Sequence, residues 1–138
     1  MEPTAHHFAV TVADLDRAVA FYRDVLGLEV LTRFSVGGAA FATGVGIDGA
    51  SADFAHMDAG DARVELVEYS PAGDARDESE LNQPGGTHLG LEVDDLHAVY
   101  EALPDYVDPI AAPQTTESGT RIMFVRDPDG TLVELLEL

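Results

Sequence analysis

Apolar and polar residues alternate through His7-Phe8-Ala9-Val10-Thr11-Val12 and again through His88-Leu89-Gly90-Leu91-Glu92-Val93. This is the two-residue period of a strand with one face packed and one face open. Both stretches run into Asp-Leu, at Asp14-Leu15 and Asp95-Leu96, and there the period changes. Leu15, Ala18, Val19, Phe21, Tyr22, Val25 and Leu26 recur at helical spacing until Gly27, and Leu96, Val99, Tyr100 and Leu103 do so until Pro104. Asp14 and Asp95 are suited to cap the two helices, because an Asp oxygen accepts from N–H groups that a first helical turn leaves unpaired. Each copy closes on a second strand-like stretch, Arg63-Val64-Glu65-Leu66-Val67-Glu68 and Leu132-Val133-Glu134-Leu135-Leu136-Glu137, sharing Val-Glu-Leu. The chain is an internal repeat.

Between helix and final strand each copy has room for two more strands, at about 28–36 and 52–58 and at about 106–111 and 119–126. Each module is therefore predicted as βαβββ and the fold class as α+β. The expected layout is a single domain over 1–138: module one at about 5–70, a linker at about 71–86 and module two at about 87–138. The linker is rich in turn formers, with Pro71, Gly73, Pro84, Gly85 and Gly86. Residues 37–51, rich in Gly and Ala, are expected to form a loop with room for a short extra strand.

Strand parity then sorts the polar residues. His7, Ala9 and Thr11 point away from Phe8, Val10 and Val12; His88, Gly90 and Glu92 oppose Leu89, Leu91 and Val93; Glu65, Val67 and Tyr69 oppose Val64 and Leu66. Glu134 opposes Val133 and Leu135, while Leu132 and Leu136 make its own face apolar as well. A carboxylate placed there is costly unless paired or metal-bound. His7, Glu65, His88 and Glu134 thus form a two-nitrogen, two-oxygen set at equivalent repeat positions. Such a set suits one divalent ion, zinc, nickel, cobalt, manganese or iron(II), with water completing the sphere.

Composition narrows the chemistry. Cysteine is absent, which removes disulfides, thiolate metal sites and cysteine nucleophiles, so any metal must rest on His and carboxylate. The 138 residues include 26 Asp and Glu against seven basic residues, all Arg, for a formal net charge of −19. Such a surface repels nucleic acid and anionic membranes. The carboxylates are scattered among apolar segments, so the charge belongs to a folded surface, one that resembles the adaptation of proteins from extreme halophiles. No apolar run approaches the roughly 20 residues of a membrane span. The start, MEPTAHHF, has neither a basic nor an apolar leader pattern, and the expected location is the cytoplasm.

His7 with Val12, Asp14, Phe21-Tyr22 and Leu26-Gly27-Leu28, then Val64-Glu65-Leu66, Gly86-Thr87-His88, Val93-Asp94-Asp95, Phe124, Asp127-Pro128-Asp129-Gly130 and Glu134-Leu135, resemble the glyoxalase/bleomycin resistance/dioxygenase (vicinal oxygen chelate) superfamily. The resemblance covers nearly the whole chain. It implies paired βαβββ modules forming a cupped open sheet around one metal, a small-molecule substrate and a homodimer, with His7 and Glu65 meeting His88 and Glu134 of a second copy. The His/Glu/His/Glu order is most similar to glyoxalase I. That similarity implies a lyase or isomerase in which metal-assisted proton transfer is carried by Glu134 and Glu65 as base and acid, with neither role assigned.

Where that family usually has Arg four residues after the first His, this chain has Thr11, and where it usually has Asn four residues after the first Glu, this chain has Tyr69. Both glutathione-holding positions have changed, so a substrate not strictly dependent on glutathione is expected, with Thr11, Tyr69 and Phe124 as substrate-binding candidates. Other readings remain. Gly85-Gly86-Thr87-His88 resembles methylmalonyl-CoA epimerase, though a basic patch for CoA phosphates is hard to find among seven Arg. An extradiol-type dioxygenase would hold iron on His7, His88 and Glu134, leaving Glu65 surplus. A fosfomycin-type thiol transferase normally has His where Glu65 stands. The contrasting class is a non-catalytic protein that sequesters a drug or apolar ligand. His56 and His97 are expected on the surface, and His6 is expected to face away from His7 in a packing or hydrogen-bonding role.

Overall fold

The structure, a computed structural model, describes residues 1–138. It divides into two compact units, Met1–Arg76 and Asp77–Leu138. The first holds β1 (His7–Thr11), α1 (Leu15–Ala20) continued by a π-helical turn (Phe21–Val25), β2 (Val30–Val36), α2 (Ala39–Val45), β3 (Ser51–Asp58) and β4 (Arg63–Ser70). The second holds β5 (Leu89–Glu92), α3 (Leu96–Glu101), β6 (Gln114–Thr115), β7 (Arg121–Arg126) and β8 (Leu132–Glu137). Each unit carries one open four-stranded mixed sheet, ordered β1-β4-β3-β2 and β5-β8-β7-β6. The outer pairs β1/β4 and β5/β8 are parallel and the others antiparallel. The class is α+β, as the repeat predicts.

The repeat extends to individual hydrogen bonds. Asp14 accepts from the Arg17 N–H and Asp95 from the Ala98 N–H, both at 3.0 Å. The first amide of each helix, Leu15 or Leu96, donates to a carboxylate at the end of the last strand, Glu68 at 3.0 Å or Glu137 at 2.9 Å. Val12 N–H reaches the Val67 carbonyl and Val93 N–H the Leu136 carbonyl, each at 2.8 Å. Both helices begin against the strand that carries their module's central Glu.

The helix-facing side of each sheet is the core. Val10, Val12, Leu15, Ala18, Tyr22, Ala55, Met57, Val64 and Leu66 are buried in the first unit, and Leu96, Met123, Val125, Val133 and Leu135 in the second. Fully burying a large apolar side chain stabilises by about 1.5–3 kcal/mol, so this alternation fixes strand register.

Two expectations need correction. Residues 37–51 contain α2 rather than an extra strand. Gly38 (φ 98°) opens this helix and Gly46 (φ 70°) closes it in the left-handed conformation, while Phe41 packs against the cluster of Ala52, Phe54 and Val67. Glycines that read as breakers are the helix boundaries. In the second unit the strand expected at about 106–111 does not form, and β6 lies later and is only two residues long. Pro104, Pro109 and Pro113 cannot donate to a ladder, and Ile110 makes one isolated bond to the Phe124 carbonyl at 2.9 Å.

Candidate functional site

In the first unit, Ala9 of β1 and His56 of β3 flank Glu65 of β4 at the same register. The two-residue period therefore groups His7, Ala9 and Thr11, Arg63, Glu65, Val67 and Tyr69, and Phe54 and His56 on the face opposite α1. His7 Nε2 lies 3.7 Å from Glu65 Oε1, beyond hydrogen-bond range. The other ring nitrogen of His7, Nδ1, is 2.8 Å from His6 Nδ1, one ring donating to the other. His56 Nε2 is 2.7 Å from Glu65 Oε2, and Arg63 Nη1 is 3.1 Å from His56 Nδ1.

His56, expected on the surface, is only 6% exposed. Its burial follows from strand pairing, which seats it beside Glu65 under the neighbouring rings of His7 and Phe34, with centroids at 6.1 and 5.1 Å. His97 does lie on the surface, near Glu101 at 3.9 Å. His6 has the expected hydrogen-bonding role but does not face away from His7. It lies outside β1, where strand alternation no longer applies, and its exposed ring turns toward His7 and His56.

The second unit repeats the pair. His88 stands just before β5, Gly90 and Phe124 flank Glu134, and His88 Nε2 is 3.2 Å from Glu134 Oε2. Phe124 meets the His88 ring edge-on at 5.2 Å. Module two therefore has an apolar ring at the register where module one has an imidazole.

An aromatic row continues along the open face of module one. Tyr69 stacks on Phe41 at 6.3 Å, Phe41 meets Phe54 edge-on, Phe54 stacks on Phe34 at 4.9 Å, and Phe34 meets His56 edge-on. Of the three substrate-binding candidates, Tyr69 belongs to this row, Thr11 is exposed at the end of β1, and Phe124 touches His88. Sequence reasoning missed Phe34, His56 and Arg63.

Neither unit alone brings three or more His, Asp or Glu into metal-holding geometry. Each brings two. Donors on bonds of about 2.1 Å, set about 90–110° apart around an ion, lie roughly 3.0–3.4 Å from one another. The His88–Glu134 separation of 3.2 Å falls in that range and the His7–Glu65 separation of 3.7 Å is close above it. Each pair fits one imidazole nitrogen and one carboxylate oxygen sharing an ion, and carboxylates whose ion-pair partners are all His are donors of the right kind.

The family model described as "Glyoxalase/Bleomycin resistance protein/Dioxygenase superfamily" matches residues 4–135. A 2-epi-5-epi-valiolone epimerase from an Actinomyces species is 31% identical, over 96% of this chain and 78% of the relative. A lactoylglutathione lyase from Haemophilus influenzae is also 31% identical, over 95% of this chain and 90% of the relative. Among solved structures, a glyoxalase family protein from Bacillus cereus aligns with a TM-score of 0.85 at 23% identity, covering 96% of this chain and 91% of that one.

Proposed function

Because the chain belongs to the glyoxalase/bleomycin resistance/dioxygenase superfamily, we propose that it is a metal-dependent, glyoxalase I-like lyase or isomerase. Its substrate in this reading is a small molecule with vicinal oxygens, and glutathione is not strictly required. The observation that supports this most is the His–Glu pair repeated at one register in both sheets, His7 with Glu65 and His88 with Glu134.

These four residues are the proposed ligands of one divalent ion, which when bound supplies Lewis-acid polarisation of two neighbouring oxygens. Zinc, nickel, cobalt, manganese and iron(II) all suit the donor set. Proton movement between adjacent carbons falls to the carboxylates. Glu65 Oε2 accepts from His56 across the strand pair, whereas Glu134 faces Phe124 there and its side-chain partner is His88 at 3.2 Å, itself a proposed ligand. Glu134 is therefore our candidate base, returning to the neighbouring carbon the proton it takes up, and Glu65 is the carboxylate that stays with the ion. The aromatic row ending at Tyr69 favours an apolar substrate group, in keeping with Thr11 and Tyr69 at the positions where glyoxalase I usually holds glutathione.

The relative named as an epimerase favours a second reading of the same site. Epimerisation removes a proton from a carbon and returns one on the opposite face, which asks for the same polarised oxygen and the same base. The proposed assembly is a homodimer, and the proposed partner is a small molecule.

Elemental analysis of the wild type, Glu65→Ala and Glu134→Ala tests the reading. About one zinc, nickel or cobalt per chain, lost in both variants, is the expected result. Iron that survives Glu65→Ala but not Glu134→Ala would move the assignment to an extradiol-type dioxygenase. No metal in any form after reconstitution would overturn it in favour of a ligand-sequestering protein.

A further inference from the structure

We propose that His56 is a positioning residue for Glu65, and that Arg63 sets the tautomer in which it acts. The inference rests on Glu65 being a metal ligand.

The argument begins with what each atom is able to do. Arg63 can only donate, since a guanidinium has no acceptor. Its Nη1 lies 3.1 Å from His56 Nδ1, so Nδ1 is the accepting nitrogen and the ring proton sits on Nε2. That nitrogen is 2.7 Å from Glu65 Oε2 and donates to it. One direction of donation thus runs Arg63 to His56 to Glu65. It occupies Oε2 and leaves Oε1, the oxygen nearer His7, as the ligating atom.

The register is built into the hairpin. The turn at 59–62 is closed by Ala59 N–H to the Ala62 carbonyl at 3.2 Å, with Gly60 N–H on Asp58 Oδ1 at 2.9 Å. Counting outward pairs Asp58 with Arg63 and His56 with Glu65. Burial strengthens the arrangement, because the side chains of His56 and Glu65 are 8% and 13% exposed and water competes poorly there. Module two lacks the device. Phe124 faces Glu134, and Leu132 stands where Arg63 does relative to the central Glu.

Hydrogen bonds to ligating carboxylates typically contribute 10–100-fold to metal affinity. Cobalt(II) and zinc(II) affinity, measured by competition with a chromophoric chelator, should fall about 10–100-fold in His56→Phe. His56→Gln, whose side-chain amide also donates, should stay close to wild type. Phe is accommodated at the equivalent register in module two, and thermal melts would verify that both variants are folded. Long-range proton–nitrogen NMR of the metal-free wild type should show the His56 proton on Nε2, and Arg63→Ala should introduce the Nδ1–H form. An Nδ1–H tautomer in the wild type, or unchanged affinity in a folded His56→Phe, would overturn the proposal. Failure of the wild type itself to bind either ion would instead overturn Glu65 as a ligand, while the NMR result would still decide the hydrogen-bond direction.

Discussion

Module one and module two are built from the same parts and differ beside their central glutamates. Their caps, their strand-end carboxylates and their His–Glu pairs coincide, yet across the antiparallel strand pair Glu65 meets an imidazole and Glu134 a phenyl ring. Packing tolerates little variation in a shared scaffold, because register and core volume are linked through every strand. The position across from the central Glu points to the open face, where exchanging His for Phe leaves the core untouched. Equivalent scaffolding with unequal carboxylates fits the proposed division of labour, in which Glu134 moves the proton and Glu65 holds the ion.

The equivalence of the cores can be broken most decisively at Leu66 and Leu135, each one residue after its central Glu and essentially fully buried. Leu66→Ala and Leu135→Ala should each cost about 2–5 kcal/mol in denaturant unfolding. A near-zero cost at either would show that the modules do not share a core plan. Glu68→Ala and Glu137→Ala come next, at about 1–3 kcal/mol each, because each leaves a helix N-terminal amide without its acceptor. The Glu137 variant also loses the Arg121 contact at 3.2 Å, which adds at most about 1 kcal/mol for an exposed pair. Asp14→Ala and Asp95→Ala should each cost about 1 kcal/mol, and equal losses would sharpen the case for a true repeat.

Salt distinguishes the units more gently. Residues 1–76 carry 12 Asp and Glu with five Arg, a net −7, while residues 77–138 carry 14 with two Arg, a net −12. Raising salt from about 0.1 M to about 1 M shortens the screening length from roughly 10 to 3 Å. Amide exchange in the second unit should therefore slow more than in the first, and the opposite order would argue against a salt-adapted surface. The smallest effect is expected at Asp24, whose carboxyl is held below its ordinary range by the hydrogen bond from Arg23, with their charge attraction adding. A lowered folded-state value stabilises above the usual Asp range and loses that effect as pH falls through it. The pair is fully exposed, so Asp24→Asn should alter the acid limb of a stability profile only slightly.

Much of this was legible in the residues. The Val-Glu-Leu repeat and strand parity place His7, Glu65, His88 and Glu134 on open faces, and Asp14 and Asp95 cap as their spacing predicts. His56 was not, because its burial depends on a partner nine residues away. The signal was present in Asp58-Ala59-Gly60-Asp61, a turn that fixes the pairing once it is recognised. α2 was hidden because Gly38 and Gly46 look alike as breakers until Phe41 is seen against Phe54 and Tyr69. The displaced β6 reflects prolines whose spacing forbids a ladder without saying where one resumes.

The strand-end carboxylates carry one more implication. Glu65 and Glu68, like Glu134 and Glu137, are three residues apart, an odd interval on a chain whose side chains alternate every residue. One carboxylate of each pair must therefore face the open side while the other reaches the helix. Inserting or deleting a single residue between them would put both on the same side, either crowding two negative charges together or forcing one under a helix without a donor. Length changes among relatives should accordingly accumulate in the segments at 37–51 and 71–86 and avoid these two tetrapeptides altogether, making their spacing a stricter inheritance than the identity of the residues between.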